Sequence, residues 1–289
     1  MSDNLGTLAT NTWCPGCGNF GILNAVKRAV PLLEEHGVSR DSLMLVGGIG
    51  CHGKIMDYLN LSSLYAIHGR GMAAAQGIKL ANPDLAVIAF SGDGDAYGEG
   101  LEHTLFAAKR NADITLVVHN NGTYALTTGQ FSPTSAVGFK GPSLPKGSIE
   151  PPLNPLALLL EIGASFVARG YAGRIDHLAS LLVQAVLHKG FSVIDVLQPS
   201  VVFNDTYREY NALVRELPEP MTSVEEAKRL AKLSEYLPIG VFYVEERPTY
   251  HESLYGAWNP VTRRVSPEER RRPLRKMVTP YQETAVARS

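Results

Sequence analysis

The sequence lacks several features that mark specialised protein classes. No apolar run approaches the roughly 18 residues that a membrane-spanning helix needs. The start, Met1 to Thr12, is polar and lacks the basic and apolar regions of a signal peptide. The formal net charge is only −1, which gives no electrostatic reason to expect nucleic acid or a membrane as a partner. With 45% hydrophobic residues and only three cysteines, the composition is that expected of a soluble, cytoplasmic enzyme.

Helical and strand-like runs alternate up to about Gln198, which predicts an α/β fold with a parallel sheet flanked by helices. Strands are predicted at 43–46, 64–67, 85–90, 114–118, 165–168 and 191–197, and helices at 21–35 (kinked or restarted at Pro31), 72–80, 100–110, 156–161 and 175–188. Residues 130–155 hold most of the central prolines and glycines and are predicted to form a long loop.

The pattern is weaker beyond residue 200. We expect a helix at 224–233, capped by Thr222 or Ser223, because each has a Glu three residues later. A late strand is predicted at 241–244. The basic, proline-containing segment 263–276 is expected to be a solvated or partner-facing tail.

Polar side chains follow two neighbouring predicted strands. Strand 85–90 leads into Gly92-Asp93-Gly94-Asp95, and strand 114–118 leads into Asn120-Asn121. A strand–helix–strand unit places Asp93 and Asn121 at the carboxyl ends of parallel strands, where open α/β sheets bind ligands. A carboxylate, an amide oxygen and backbone carbonyls form an all-oxygen set that suits Mg2+ holding a diphosphate.

Three better-known motifs are nearly matched and fail. An EF-hand loop starting at Asp93 would have Tyr97 at its third ligand position. Residues 48–54 read GxxxxGK, but Ile55 stands where a phosphate-binding P-loop needs a hydroxyl. Residues 48–53 also read GxGxxG, yet no acidic residue between 58 and 83 could bind a ribose. These glycines are better explained by close approach of the backbone to a bound cofactor.

The cysteines form a second pattern. Cys14 and Cys17 are separated by two residues, and Cys51 lies in a loop after a predicted strand. Paired thiolates at this spacing commonly begin an iron–sulfur or zinc site, and a redox CxxC would normally open a helix. Three thiolates leave one corner of a tetrahedral or cubane site unfilled. Spacing alone leaves a cluster, a zinc site and unrelated cysteines as equal alternatives.

Several motifs occur in one order along residues 13–205: Trp13-Cys14-Pro15-Gly16-Cys17-Gly18, Gly48-Ile49-Gly50-Cys51, His68-Gly69-Arg70, Gly92-Asp93-Gly94-Asp95, Asn120-Asn121 with Tyr124, Thr127 and Gly129-Gln130, and Ser132-Pro133-Thr134. Together they resemble the beta subunit of archaeal and bacterial 2-oxoacid:ferredoxin oxidoreductases. The resemblance implies a thiamine diphosphate-binding fold at 1–200, with an N-terminal cysteine loop. It leaves a C-terminal extension at 201–289, packed on the same domain or on a partner.

The resemblance also implies cofactor sites. Mg2+ would be held by Asp93, Asn121 and the Thr123 carbonyl, and a [4Fe-4S] cluster by Cys14, Cys17 and Cys51. Lys54 and His68, at strand ends, are candidates for substrate and diphosphate contacts. The expected contacts to thiamine diphosphate are Ile49, Gly50, Cys51, His52, His68, Gly69, Arg70, Gly71, Gly94, Asp95, Ala125 and Leu126.

By the same resemblance, a 2-oxo acid such as pyruvate loses CO2, the cluster removes electrons one at a time, coenzyme A takes the acyl group and ferredoxin collects the electrons. The sequence contains no second α/β domain to supply the Glu that activates the cofactor. The resemblance therefore implies an alpha or fused gamma-alpha subunit as partner, with the active site at the interface.

Two positions depart from the family pattern. The segment Gln198-Pro199-Ser200 has serine where the family's fourth cluster ligand is cysteine, and a hydroxyl is a poorer iron ligand at neutral pH. The cluster could be ligated by Ser200, held by another group such as Asp205, altered or absent. Thr128 replaces a common lysine, so the preferred acid stays open. The alternatives are a decarboxylase subunit without electron transfer and a zinc-stabilised binding subunit.

Overall fold

The computed structural model describes residues 5–256, 258–262, 266–269 and 271. Its strands are β1 Leu43–Gly47, β2 Ser62–Tyr65, β3 Ala86–Gly92, β4 Ile114–Asn120, β5 Thr123–Tyr124, β6 Gln130–Phe131, β7 Phe166–Tyr171, β8 Phe191–Leu197, β9 Val214–Glu216 and β10 Leu237–Val244. Its helices are α1 Asn19–Glu35, α2 Gly71–Ala81, α3 Leu101–Arg110, α4 Pro155–Glu161, α5 Ile175–Leu187, α6 Tyr207–Leu213, α7 Val224–Ala231 and α8 Tyr250–Tyr255.

Eight strands form one sheet in the order β2-β1-β3-β4-β8-β7-β10-β9. The pairs from β2 through β7 are parallel, and β10 runs antiparallel to β7. The predicted α/β class with a mostly parallel sheet is confirmed. Strands β9 and β10 come from the segment beyond residue 200 and extend this same sheet, while the proposed boundary at 200 stays a prediction.

Both faces of the sheet are covered, which explains why β7 and β8 are buried at every position. Helices α1 and α5 cover one face, where residues such as Ile22 and Leu182 pack with Ile88. Helices α2, α4 and α7 cover the other face with small and branched side chains such as Ala75 and Leu156. The apolar runs in the sequence therefore become strands buried between two helical layers.

Local sequence signals explain several element boundaries. The Ser223 Oγ accepts a hydrogen bond from the Glu226 backbone N–H at 3.2 Å, so Ser223 rather than Thr222 caps α7. Helix α1 continues through Pro31, an exposed residue near its carboxyl end, so this proline does not restart the helix. The stretch predicted as one long loop contains β6, which pairs with β5 in a short hairpin.

Most of the basic segment 263–276 lies outside the described residues. Within the described part of the chain, no helix is both long and apolar enough to cross a membrane.

Candidate active site

The carboxylate of Asp93 lies directly after β3 and is only 1% exposed. Its Oδ2 accepts hydrogen bonds from Ser132 Oγ at 2.5 Å and from Thr134 Oγ1 at 2.6 Å. Burial raises the pKa of Asp93, and these hydrogen bonds oppose that rise. Both hydroxyls reach the same oxygen, so Oδ1 is the oxygen that they leave for another ligand.

Strands β3 and β4 are parallel neighbours, and Gly92 at the end of β3 pairs with His119 near the end of β4. Asp93 and Asn121 follow these paired residues and therefore lie at the same edge of the sheet. The Asn121 Oδ1 accepts a hydrogen bond from the Thr123 backbone N–H at 3.0 Å, and its carbonyl accepts one from Asn204 Nδ2 at 2.8 Å. The intervening Gly122 has φ +65°, a left-handed conformation that favours glycine and lets the chain turn sharply.

Asp93, Asn121 and Thr123 all line one cleft at the carboxyl edge of the strands. The structure therefore brings together the three residues predicted as metal ligands, and oxygen atoms of these kinds are the ligands that Mg2+ takes in proteins. Further predicted residues line the same cleft: Ile49, Gly50, Cys51, His52, His68, Gly94, Asp95, Ala125 and Leu126.

Other predicted contacts do not line this cleft: Gly69, Arg70, Gly71, Lys54, Cys14, Cys17 and Ser200. The guanidinium of Arg70 donates to the Glu99 carbonyl at 3.1 Å. The Lys54 Nζ donates to Thr12 Oγ1 at 2.9 Å. The catalytic and cofactor roles of these residues stay predictions.

The sequence did not single out His119 and Gln198 as site residues, yet both line the cleft and are 1% exposed. The His119 Nε2 and the Gln198 Oε1 are buried without a hydrogen-bond partner among the described residues. Buried polar atoms normally have partners, so these two atoms are available to a bound ligand or its water. One signal in the sequence indicated their role: each follows directly after a predicted strand, His119 after 114–118 and Gln198 after 191–197.

The protonation of His119 is set by its surroundings. Its Nδ1 lies 2.7 Å from Asn19 Oδ1, which can only accept, so Nδ1 carries the proton and Nε2 presents a lone pair. Burial, with a smaller contribution from His52, holds the His119 pKa well below its ordinary value. His119 is therefore a neutral acceptor at the floor of the cleft.

Asp95 braces the loops of the cleft. Its Oδ1 accepts from the Gly69 backbone N–H at 2.7 Å, and its Oδ2 accepts from Ser91 Oγ at 2.5 Å and lies 3.6 Å from His52 Nε2. Burial alone would raise the pKa of Asp95, but the neighbouring His52 together with the hydrogen bonds from Gly69 and Ser91 outweighs it, and the pKa is lowered. The carboxylate thus ties the 68–71 loop to β3.

The cysteine loops lie close to this cleft. Burial raises the pKa of Cys17 and of Cys51, and the charge of Cys14 raises both further. Gly18 N–H donates to the Pro199 carbonyl at 3.0 Å, which brings the segment of Ser200 against the first cysteine loop. Across the described residues, no group of three or more His, Cys, Asp or Glu side chains has an arrangement that could hold a metal ion. The cluster ligands stay a prediction.

A second cavity of about 510 Å³ lies at the opposite edge of the sheet, around Lys79 and Asp113. These side chains form an ion pair at 2.6 Å. None of the predicted site residues lines this cavity, so the cleft at Asp93 is the candidate active site.

Comparison with known proteins agrees with this geometry. Residues 48–196 match the family model "Thiamine pyrophosphate enzyme, C-terminal TPP binding domain". A 2-oxoacid:ferredoxin oxidoreductase subunit beta from Saccharolobus solfataricus is 43% identical over 268 residues, covering 86% of this chain and 87% of the relative. The chain belongs to the family of 2-oxoacid:ferredoxin oxidoreductase beta subunits.

Two further relatives belong to the same group. Subunit beta of the 2-oxoacid:ferredoxin oxidoreductase 1 of Aeropyrum pernix is 42% identical and covers 84% of this chain and 80% of its own. The solved 2-oxoglutarate:ferredoxin oxidoreductase from Magnetococcus marinus, with 2-oxoglutarate, coenzyme A and succinyl-CoA bound, superposes with a TM-score of 0.82. It shares 36% identity, and the match covers 86% of this chain and 87% of that chain. This beta subunit is therefore part of an oxidoreductase and carries the family's thiamine diphosphate-binding domain.

Proposed function

We propose that this beta subunit binds thiamine diphosphate through Mg2+ and, with an alpha-type subunit, oxidatively decarboxylates a 2-oxo acid. The 2-oxo acid, coenzyme A and oxidised ferredoxin would yield acyl-coenzyme A, CO2, a proton and reduced ferredoxin. The observation that carries the proposal is the cleft in which Asp93, Asn121 and Thr123 converge. Three buried polar atoms of its lining, His52 Nε2, His119 Nε2 and Gln198 Oε1, have no hydrogen-bond partner among the described residues.

The residues of the cleft divide the work by their chemistry. The Asp93 carboxylate, the Asn121 amide oxygen and the Thr123 carbonyl would hold Mg2+. When bound, thiamine diphosphate supplies the nucleophilic carbon and the electron sink for breaking the bond to the carboxylate. The neutral His119 Nε2 would accept a hydrogen bond at the cleft floor. His68, exposed at the rim, would contact the negatively charged substrate.

Cys14, Cys17 and Cys51 would hold an iron–sulfur cluster that takes the electrons. Cys51 lines the cleft, so one of the proposed cluster ligands would lie next to the bound cofactor. This proximity matters because electron removal must compete with protonation, which would release an aldehyde. Ser200, only 5% exposed in the segment beside the first cysteine loop, is the doubtful fourth ligand.

The alpha-type subunit would cover the open side of the cleft. Large apolar side chains are exposed at or beside its rim, with Ile67 72% and Leu126 46% exposed. An exposed apolar rim is typical of a protein interface. The subunit would also supply the glutamate that activates the cofactor, since the described residues that line the cleft include none.

A second function is favoured by one observation. With Ser200 in place of the fourth cysteine, the cluster would be weakly held, and the subunit would serve a thiamine diphosphate-dependent decarboxylase without electron transfer. Release of CO2 without ferredoxin reduction would identify this alternative.

The deciding experiment uses the beta subunit purified anaerobically with its alpha-type partner. Binding of thiamine diphosphate is measured calorimetrically with and without Mg2+, for the wild type, Asp93→Asn and the exposed control Asp84→Asn. We expect Mg2+-dependent binding that Asp93→Asn weakens by about tenfold or more and Asp84→Asn leaves unchanged. Absence of binding by the wild-type complex would refute the proposal.

The same preparations test electron transfer. Iron and acid-labile sulfide are measured together with the EPR spectrum, and ferredoxin reduction is followed after addition of a 2-oxo acid and coenzyme A. A cluster signal with ferredoxin reduction supports the oxidoreductase, whereas iron-free protein that still releases CO2 supports the decarboxylase.

A further inference from the structure

A hydrogen-bonded path extends from Asp93 through the half-buried residues Thr134 and Asn120 into the sheet. It ends at Asp195 in β8, a carboxylate that is 1% exposed. The Asp195 Oδ1 accepts from the Tyr97 hydroxyl at 3.1 Å. Both Asp195 oxygens accept from Asn120 Nδ2, at 3.1 and 3.2 Å. No step of the proposed reaction uses Asp195, so its burial needs another explanation.

Asn120 connects this carboxylate to the metal-binding side. Because its Nδ2 points to Asp195, its Oδ1 points the other way and lies 2.9 Å from Thr134 Oγ1. The same Thr134 hydroxyl lies 2.6 Å from Asp93 Oδ2. Both of these oxygens can only accept, so the one hydroxyl hydrogen is shared between Asn120 Oδ1 and Asp93 Oδ2. The path thus runs from Asp195 through Asn120 and Thr134 to Asp93, and Asp195 fixes which end of the Asn120 amide faces Thr134.

The far end of the path lies beside a buried arginine. Arg169 is the register partner of Asp195 on β7, and its positive charge attracts the carboxylate. The guanidinium lies 5.3 Å from the Phe242 ring centroid and is itself buried. Because Arg169 supplies a nearby opposite charge to this buried carboxylate, moving Asp195 away from it would cost free energy in the protein interior.

We propose that Asp195 is a positioning residue for the cation ligand Asp93, acting through Asn120 and Thr134. Asp195 orients the Asn120 amide so that its oxygen faces Thr134. The Thr134 hydroxyl shares its one hydrogen between Asn120 Oδ1 and Asp93 Oδ2, and this three-centre contact fixes the position of the Asp93 carboxylate at the cleft. Partners behind a metal ligand commonly set its orientation and change affinity when removed. The inference rests on the proposed Mg2+-dependent binding of thiamine diphosphate.

The test measures the apparent dissociation constant of Mg2+ at saturating thiamine diphosphate, using the complex with the alpha-type subunit. The variants are Asp195→Asn, Thr134→Val, Thr134→Ser and the double variant Asp195→Asn/Thr134→Val. Ser165→Ala is the control, since Ser165 is a buried hydrogen-bonded residue that precedes β7, at the opposite edge of the sheet. Thermal unfolding of each variant reports its folding separately.

We expect Asp195→Asn and Thr134→Val each to weaken Mg2+ binding by about tenfold. Thr134→Ser, which keeps the hydroxyl, and Ser165→Ala should stay within about threefold of the wild type. The double variant should lose no more Mg2+ affinity than either single variant, because the two substitutions interrupt the same path. Wild-type-like affinity of Asp195→Asn, or losses that multiply in the double variant, would overturn the inference. Lack of Mg2+-dependent binding by the wild type would instead refute the proposed function on which it rests.

Discussion

The Nε2 of Gln198 lies 3.4 Å from the Sγ of Cys17, while the same side chain lines the cleft that contains Asp93. Gln198 also donates to the Pro199 carbonyl at 2.7 Å, which fixes its amide. One buried side chain therefore touches both the first cysteine loop and the candidate cofactor site.

This contact predicts the acidity of the Cys17 thiol. Burial raises the pKa of Cys17, and the hydrogen bond from Gln198 opposes that rise. Gln198→Leu should raise the pKa further and slow alkylation of Cys17 by iodoacetamide at pH 8 by about threefold. Peptide mass spectrometry of the reduced, metal-free protein measures the rate, with Cys51 as internal control. Equal slowing at both cysteines would point to a general change in the loop instead.

Ser200→Cys is predicted to strengthen iron binding. Ser200 lies in the segment whose Pro199 carbonyl accepts a hydrogen bond from Gly18, so a thiol at position 200 would lie beside the first cysteine loop. Reconstituted Ser200→Cys should approach about four irons per chain and retain them longer against a chelator than the wild type. The control is Ser180→Cys, an exposed serine on α5. Unchanged iron content in Ser200→Cys would place the fourth ligand elsewhere.

Gly94→Ala should damage the cleft. A Cβ at Gly94 would lie 2.3 Å from the Tyr124 ring, so the ring would have to move. We expect a loss of about 1–3 kcal/mol in the free energy of unfolding. Gly77 in α2 is exposed and a Cβ there meets nothing within 4 Å, so Gly77→Ala should stabilise by about 0.5–1 kcal/mol. Urea unfolding measures both, and equal effects would contradict the steric argument.

The stability of an Asp195→Asn variant should depend on pH differently from that of the wild type. Burial raises the Asp195 pKa to about 6, against the charge of Arg169. The folded state therefore binds this proton more tightly than the unfolded state, and the wild type loses stability as the pH rises through about 6.

Asparagine does not titrate, so the variant lacks this loss. The free energy of unfolding of Asp195→Asn, measured relative to that of the wild type, should therefore rise by on the order of 2–3 kcal/mol between pH 4 and pH 7. Urea unfolding at several pH values measures the difference. Parallel curves for the two proteins would mean that Asp195 has an ordinary pKa.

Most strand positions, and the placing of Asp93 and Asn121 at one edge of the sheet, were predictable because both depend on local sequence. The apolar runs at 85–90 and 114–118 became β3 and β4, and the polar residues after them had to leave the sheet at the same edge. The hairpin of β5 and β6 was not predicted, because its strands have two residues each and carry no periodic signal.

The supporting residues of the site could not be predicted in the same way. Asn19, Asp195 and Gln198 are distant in sequence from Asp93 and reach the site through α1 and β8. Their roles depend on which strands are neighbours, and β8 lies next to β4 although three strands separate them in the chain. The residue spacing within a short sequence motif cannot show that β8 lies beside β4.

The sequence by itself determined the class of the protein and the chemistry of its candidate ligands, since apolar runs, glycines and oxygen-bearing side chains act over a few residues. Only the tertiary structure decided which of those side chains share a cleft. It brought His119 and Gln198 into the cleft and turned Arg70 and Lys54 toward other partners. The physical reason is that side-chain partners are chosen by strand order and packing, which join residues far apart in the chain.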